Sequence, residues 1–220
     1  MVRQKLRKHV FLTTITMMII VFIIGIIIGK NIESSKPDEI TDFIKQNELN
    51  TESFLIEWEL IKTFDSDSCD LASGRIISLS AELYQIGQKL VAPDADKILG
   101  KETFSLLKRR YHLTQIKTYF LFSKLLKNCE IDQHIILFYY GADSKESSDQ
   151  GPVLDELVAK YPLNVFALEY NYSTELNFLE SYYNISETPA IVVDYEHVLI
   201  GPQSLRDIEL LLIQPNKPKN

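Results

Sequence analysis

Ile135-Ile136-Leu137-Phe138-Tyr139-Tyr140-Gly141 is a short apolar and aromatic run closed by glycine, the pattern of a buried strand. The next ten residues, Ala142-Asp143-Ser144-Lys145-Glu146-Ser147-Ser148-Asp149-Gln150-Gly151, are polar and read as a loop. Pro152 to Tyr161 then has helical spacing, with Val153, Leu154, Leu157 and Val158 on one stripe. A strand therefore delivers a polar loop to the N-terminal end of a helix, a place where backbone amides are free to act.

Working downstream, Asn164 to Tyr170 reads as a second strand and Thr174 to Tyr183 as a second helix. Two strands joined through a helix form a right-handed crossover, so they are expected to be parallel. Thr188-Pro189 stands immediately before the β-branched run Ala190-Ile191-Val192-Val193-Asp194. Proline is allowed as a strand's first residue, and a cis bond there would form a tight corner. His197 to Ile200 supplies an antiparallel partner, and Ser204 to Ile213 a closing helix.

This β-α-β-α-β-β-α order, with proline at the entrance to the third strand, resembles the thioredoxin fold over Ile135 to Gln214. Phe138-Tyr139-Tyr140 is similar to the family's strand end, and Pro152 to Glu156 to its active-site helix after the kink proline. Tyr183-Asn184-Ile185 with Thr188-Pro189 is similar to the cis-proline approach, and Gly201, Leu205 and Ile208 to the final turn and helix. Counting back from Pro152, the register of the family's paired redox cysteines falls on Ser144 and Ser147, and that of its buried acid on Phe138. Thiol-disulfide exchange needs a thiolate and a resolving sulfur, and serine supplies neither. The resemblance thus implies a degenerate site at Ser144-Lys145-Glu146-Ser147 with no catalytic residue. The bland reading of that tetrapeptide is a helix-capping loop. The resemblance also implies a surface that pairs with an extended polypeptide, made by Asp143, Ser144, Ser147, Glu187, Thr188 and Pro189.

Upstream, Val10 to Gly29 runs for about twenty residues without a charge, the length of a membrane-crossing helix. Arg3, Lys5, Arg7 and Lys8 precede it, whereas Lys30 and Lys36 are diluted by Glu33, Asp38 and Glu39 beyond it. The positive-inside rule places the N-terminus in the cytoplasm and the rest outside. The competing reading is a cleaved signal peptide, against which stand the length of the run and the lack of an Ala-x-Ala site. Gly25 and Gly29 form a small-xxx-small pair that would let two spans pack as a homodimer, or would simply face lipid.

Residues 38–130 read as helical. Ile40, Phe43 and Ile44 follow Pro37, then Phe54, Leu55, Trp58 and Ile61. A third helix starts near Ser68 with a seam of Ile76, Leu79, Leu83, Ile86 and Leu90, and a fourth runs to about Asn128, bent near Gly100. Cys69 and Cys129 fall at the same end of an antiparallel hairpin of these two helices, so a disulfide is the natural inference outside the membrane. Two free thiols or a redox-active pair are the alternatives.

The chain has 220 residues and a formal charge of -7, with no basic stripe, which argues against nucleic acid. Asp65 to Ile76 fails as a calcium loop, since its sixth and twelfth positions are Asp70 and Ile76. His9, His112, His134 and His197 lack ligand spacing, and no nucleophile elbow, phosphate loop or dinucleotide fingerprint occurs, so no metal or cofactor is expected. Asn171-Tyr172-Ser173 and Asn184-Ile185-Ser186 are glycosylation sequons.

The organisation expected is a basic N-terminus over 1–9, a span over 10–29, a linker over 30–37, a helical region over 38–130, a thioredoxin-like α/β domain over 131–214 and a tail over 215–220. The function expected is a single-pass membrane-anchored, extracytoplasmic, redox-inactive module that binds or scaffolds proteins. The alternatives are an oxidoreductase or isomerase relative using Cys69 and Cys129, or a structural subunit of an envelope complex.

Overall fold

The computed structural model describes residues 53–59, 68–129 and 131–213, together with Met18 and Phe22. The expected span over 10–29 otherwise lies outside the described residues, as do the linker, the helix following Pro37 and the tail. Among the described residues no helix is long and apolar enough to cross a membrane. The chain divides into two compact units, residues 1–60 and 61–220. In the first, 53–59 are helical, with Phe54 stacked on Trp58 at 6.3 Å.

The second unit opens with α1 (Ser68–Leu90), a short α2 (Ala95–Leu99) and α3 (Lys101–Asn128). Gly100 separates α2 from α3 with φ 78°, a left-handed conformation that glycine adopts without a Cβ penalty, so the expected bend is a full break. The apolar seam of α1 packs along α3, burying Ile76, Leu79 and Ile86. Arg110 Nε donates to Glu82 Oε1 at 2.8 Å across this hairpin, and Cys69 and Cys129 are joined at its end with a Cα–Cα distance of 5.8 Å. The expected pairing is therefore formed.

The sheet follows as β1 (His134–Tyr140), α4 (Lys145–Lys160), β2 (Leu163–Glu169), α5 (Asn177–Tyr183), β3 (Ala190–Val193), β4 (His197–Ile200) and α6 (Leu205–Ile213). Its spatial order is β2-β1-β3-β4, with β1 parallel to β2 and antiparallel to β3, and β3 antiparallel to β4. Alternation along each strand sends Ile136, Phe138, Ile191 and Val193 towards α4 and α6, where Leu154, Leu157, Ile208 and Leu212 close a core. The opposite side chains, among them Phe166 of β2, meet Tyr119 and Phe122 of α3. α3 thus belongs to the same compact unit as the sheet and covers one of its faces.

α3 also closes an edge. β2 is terminal in the sheet, and its outward Ala167 N–H donates to Gln115 Oε1 at 2.7 Å while Ala167 C=O accepts from Gln115 Nε2 at 2.8 Å. One buried side-chain amide thereby stands where a fifth strand would pair, which blunts the edge against unwanted pairing.

Two boundaries differ from the sequence reading. The polar stretch after β1 is mostly helix: α4 begins at Lys145 and carries Pro152 inside it. Its first turns are solvated except for Ser147 and Gln150, so no apolar stripe betrays them. α5 starts at Asn177, after a turn in which Leu176 N–H donates to Ser173 O at 3.0 Å.

Candidate functional site

At the C-terminal end of β1, two serine hydroxyls organise the start of α4. Ser144 is the N-cap, and its Oγ accepts from Ser147 N–H at 3.2 Å. Its carbonyl accepts from Ser148 N–H and from Ser148 Oγ, each at 3.1 Å. The Ser147 hydroxyl, buried, points back and accepts from Gly141 N–H at 3.0 Å. The N-cap Ser144 and the first-turn Ser147 thus hold the strand end and the helix start together.

Gly141 is also where the cis Thr188-Pro189 corner arrives. A methyl group on Gly141 would lie 2.8 Å from Thr188 Oγ1 and 3.1 Å from Ser144 Cβ, so only a residue without a side chain lets these three meet. Pro189 is buried, and its carbonyl accepts from Gly201 N–H at 2.8 Å. The β1–β3 ladder ends at Tyr139 and Ala190, which leaves the Thr188 backbone beyond it. Thr188 is half-buried, its chain neighbour Glu187 is exposed, and Asp143 and Glu146, which flank Ser144 and Lys145 in the sequence, are exposed as well.

The cation in this rim is Lys145, which reaches Asp149 at 2.5 Å. That hydrogen bond, then the carboxylate's charge, raises its ammonium pKa. Tyr140, at the strand's end, is pushed up chiefly by burial and secondarily by Glu169. Gln150, one turn into α4, is buried; its Oε1 accepts from Gln203 N–H at 2.8 Å and its Nε2 donates to Gln203 O at 3.2 Å. This clasp fixes the turn before α6 against the helix that carries the site.

Of the residues singled out in the sequence, Ser144, Ser147 and Thr188 converge around Gly141, with Asp143 and Glu187 as exposed neighbours on the chain. Cys69 and Cys129 lie elsewhere. The N-terminal part of α3 sits at the site's end of the sheet, where Tyr172 Oη donates to Ser105 O at 3.1 Å and Lys108 pairs with Glu169. Its C-terminal part sits at the other end, where Tyr195 Oη donates to Tyr119 O at 2.7 Å, and Cys129 lies beyond that. The length of β1, about 20 Å, separates the disulfide's end from the serines.

The sequon asparagines Asn171 and Asn184 are both exposed and left-handed, with φ 55° and 53°. Asn171 N–H donates to Glu180 Oε1 at 2.9 Å; burial raises the Glu180 carboxyl pKa, and the Asn171 bond opposes that shift. Among the described residues no group of His, Cys, Asp and Glu side chains is arranged to hold a metal ion.

Sequence reasoning missed the polar residues on the α3 face. His112 is buried against Tyr172, with ring centroids 5.2 Å apart, and neither ring nitrogen has a hydrogen-bond partner. Burial first and the charge of Lys108 second hold its imidazole down to about 4, with the Ala167 backbone opposing. Tyr119 and Tyr183 share a 2.6 Å hydroxyl contact, and Tyr139 Oη is buried without a partner. A lone His within a helical run and scattered tyrosines carry no local signal of such a layer.

No protein-family model matches the chain, and no curated protein matches it. Among solved structures, the germline-specific thioredoxin Deadhead (Thioredoxin-1) of Drosophila melanogaster is similar over 42% of this chain and 88% of its own, with 17% identity and a TM-score of 0.29. The four-stranded mixed sheet, its flanking helices and the cis-proline at the entrance to β3 fit a thioredoxin-like α/β domain.

Proposed function

We propose that the chain is a membrane-anchored, extracytoplasmic protein-binding module in which a thioredoxin-like domain works without sulfur chemistry. The observation that carries this reading is the meeting of Ser144, Gly141 and Thr188, with the Ser144 and Ser147 oxygens both accepting backbone N–H bonds where the family's reaction would need two sulfurs. What is left to the site is recognition. The Thr188 backbone, standing beyond the last ladder pair, is placed to accept an extended segment as an added strand. Exposed Asp143, Glu146 and Glu187 favour a segment carrying Lys or Arg. The anchor is supported by the uncharged run over 10–29 and its asymmetric flanks.

An oxidoreductase using Cys69 and Cys129 is the less economical reading. Those cysteines are bonded to each other at the hairpin's far end, about a strand's length from the loop. Affinity capture with the wild type and with Glu187→Arg tests the binding reading, because Glu187 is exposed and its replacement puts a bulky cation on the edge without disturbing the Thr188 packing beside Gly141. Partners lost in the variant support it, and identical partner sets sink it.

A further inference from the structure

α1 carries two stripes. Its buried seam faces α3, and a second stripe, one to two residues further on and so about 150° around the helix, is turned towards solvent. This outer stripe is Gly74, Ile77, Ala81, Tyr84, Gln88 and Val91, spaced by alternating steps of three and four. Ile77, Tyr84 and Val91 are 71%, 69% and 75% exposed, and the Val91 N–H bond to Gly87 O at 3.0 Å carries the helical turn to the stripe's end. The positions flanking the stripe, Ser73, Ser78, Ser80 and Gln85, are uncharged as well. In a chain whose residues are 24% charged, a five-turn exposed face with no charge at its centre or its flanks needs a partner.

We infer that α1 pairs with α1 of a second copy in an antiparallel coiled-coil contact. A strict three-four spacing selects a helix that coils alongside, and this stripe complements itself. Antiparallel alignment about the point between Glu82 and Leu83 sets Gly74 against the partner's Val91, Ile77 against the partner's Gln88, and Ala81 against the partner's Tyr84. Each small residue thus receives a large one, and the Ala81 position leaves room for the tyrosine ring. The electrostatics fit the same occupant. Each copy carries -7, and this neutral band lets two of them meet without like charges across the seam, while the antiparallel helix dipoles attract. A contact of five turns buries on the order of 1,000 Å² in total, the lower end of a specific interface, so the dimer is a reversible one.

The test uses full-length protein, in which Cys69 and Cys129 are already bonded. Gly74→Cys is mixed with a size-tagged Val91→Cys under mild oxidation. The pairing predicts a mixed disulfide dimer and little self-cross-linking of Gly74→Cys alone, since the two Gly74 positions are about 25 Å apart in this register. Tyr84→Glu introduces a charge opposite Ala81 and is expected to weaken self-association at least about tenfold in sedimentation equilibrium. Self-cross-linking of Gly74→Cys as efficient as the mixed reaction would mean a parallel contact and overturn the proposal. So would equal cross-linking between Gly74→Cys and Glu146→Cys, or an unchanged association constant for Tyr84→Glu.

Discussion

Beneath α4 and α6 the sheet offers Ile136, Phe138, Ile191 and Val193 to Leu154, Leu157, Ile208 and Leu212, whereas beneath α3 and α5 the packing includes Tyr119, Phe122 and Tyr183 with His112 and Gln115 beside them. The core of the first face is purely aliphatic and aromatic, with its polar ties, such as the Gln150–Gln203 clasp, at the margin, so volume-conserving apolar exchanges are tolerated there best. The second is aromatic and polar, so each buried group there must also find a partner or be kept neutral. The contrast shows how the helical hairpin is tied to the sheet. α3 adds specific bonds, Gln115 to Ala167 and Tyr119 to Tyr183, to the apolar contact made by Ile116, Leu121, Phe122 and Leu125.

The comparison breaks most readily at its apolar side. Leu157→Ala should cost about 4 kcal/mol in urea denaturation, because a fully buried side chain leaves a cavity that the α4–α6 layer cannot refill. On the other face Gln115→Ala should cost about 3 kcal/mol, since it strips both partners from Ala167. It should also raise the tendency of β2 to pair with other chains, read as concentration-dependent light scattering. A loss below about 1 kcal/mol would mean that water satisfies Ala167 and that α3 is not placed by this clasp.

Acid should separate the faces next. The folded state holds His112 neutral down to about pH 4, whereas an unfolded chain protonates it near 6.5. Between those values the unfolded chain binds the extra proton, so stability is intact above 6.5, falls as pH is lowered and stops falling below about 4. By pH 4.5 the loss assigned to this ring is about 2 to 3 kcal/mol, and His112→Phe should flatten the pH dependence of stability by that amount. The smallest effect is Tyr139→Phe. Because its buried hydroxyl has no partner, removing it should leave stability unchanged or raise it by less than about 1 kcal/mol.

These faces were not equally legible. β1 and β3 announce themselves as unbroken apolar runs because both of their sides are covered. The hairpin was legible through the seam of α1, and the Cys69–Cys129 bond followed from its geometry. The beginning of α4 was not, since Lys145, Glu146, Ser148 and Asp149 are solvated and only Ser147 and Gln150 turn inward. The Gln115 clasp spans 52 residues, and no local pattern reports a contact at that separation. At the site, Ser144 and Thr188 could be brought into register through the two prolines. The role of Gly141 as their meeting point appears only when the loop and the cis corner are folded together.

In the proposed function Ser144 and Ser147 stand where a dithiol would act, and the surrounding loop serves binding. Insulin reduction by the wild type and by the double variant Ser144→Cys, Ser147→Cys tests this most directly. The expected result is no turnover by the wild type and measurable dithiol-dependent turnover by the variant, because the added thiols occupy the first turn of α4, where a helix N-terminus favours the thiolate. Turnover by the wild type that disappears in Cys129→Ser would contradict the account.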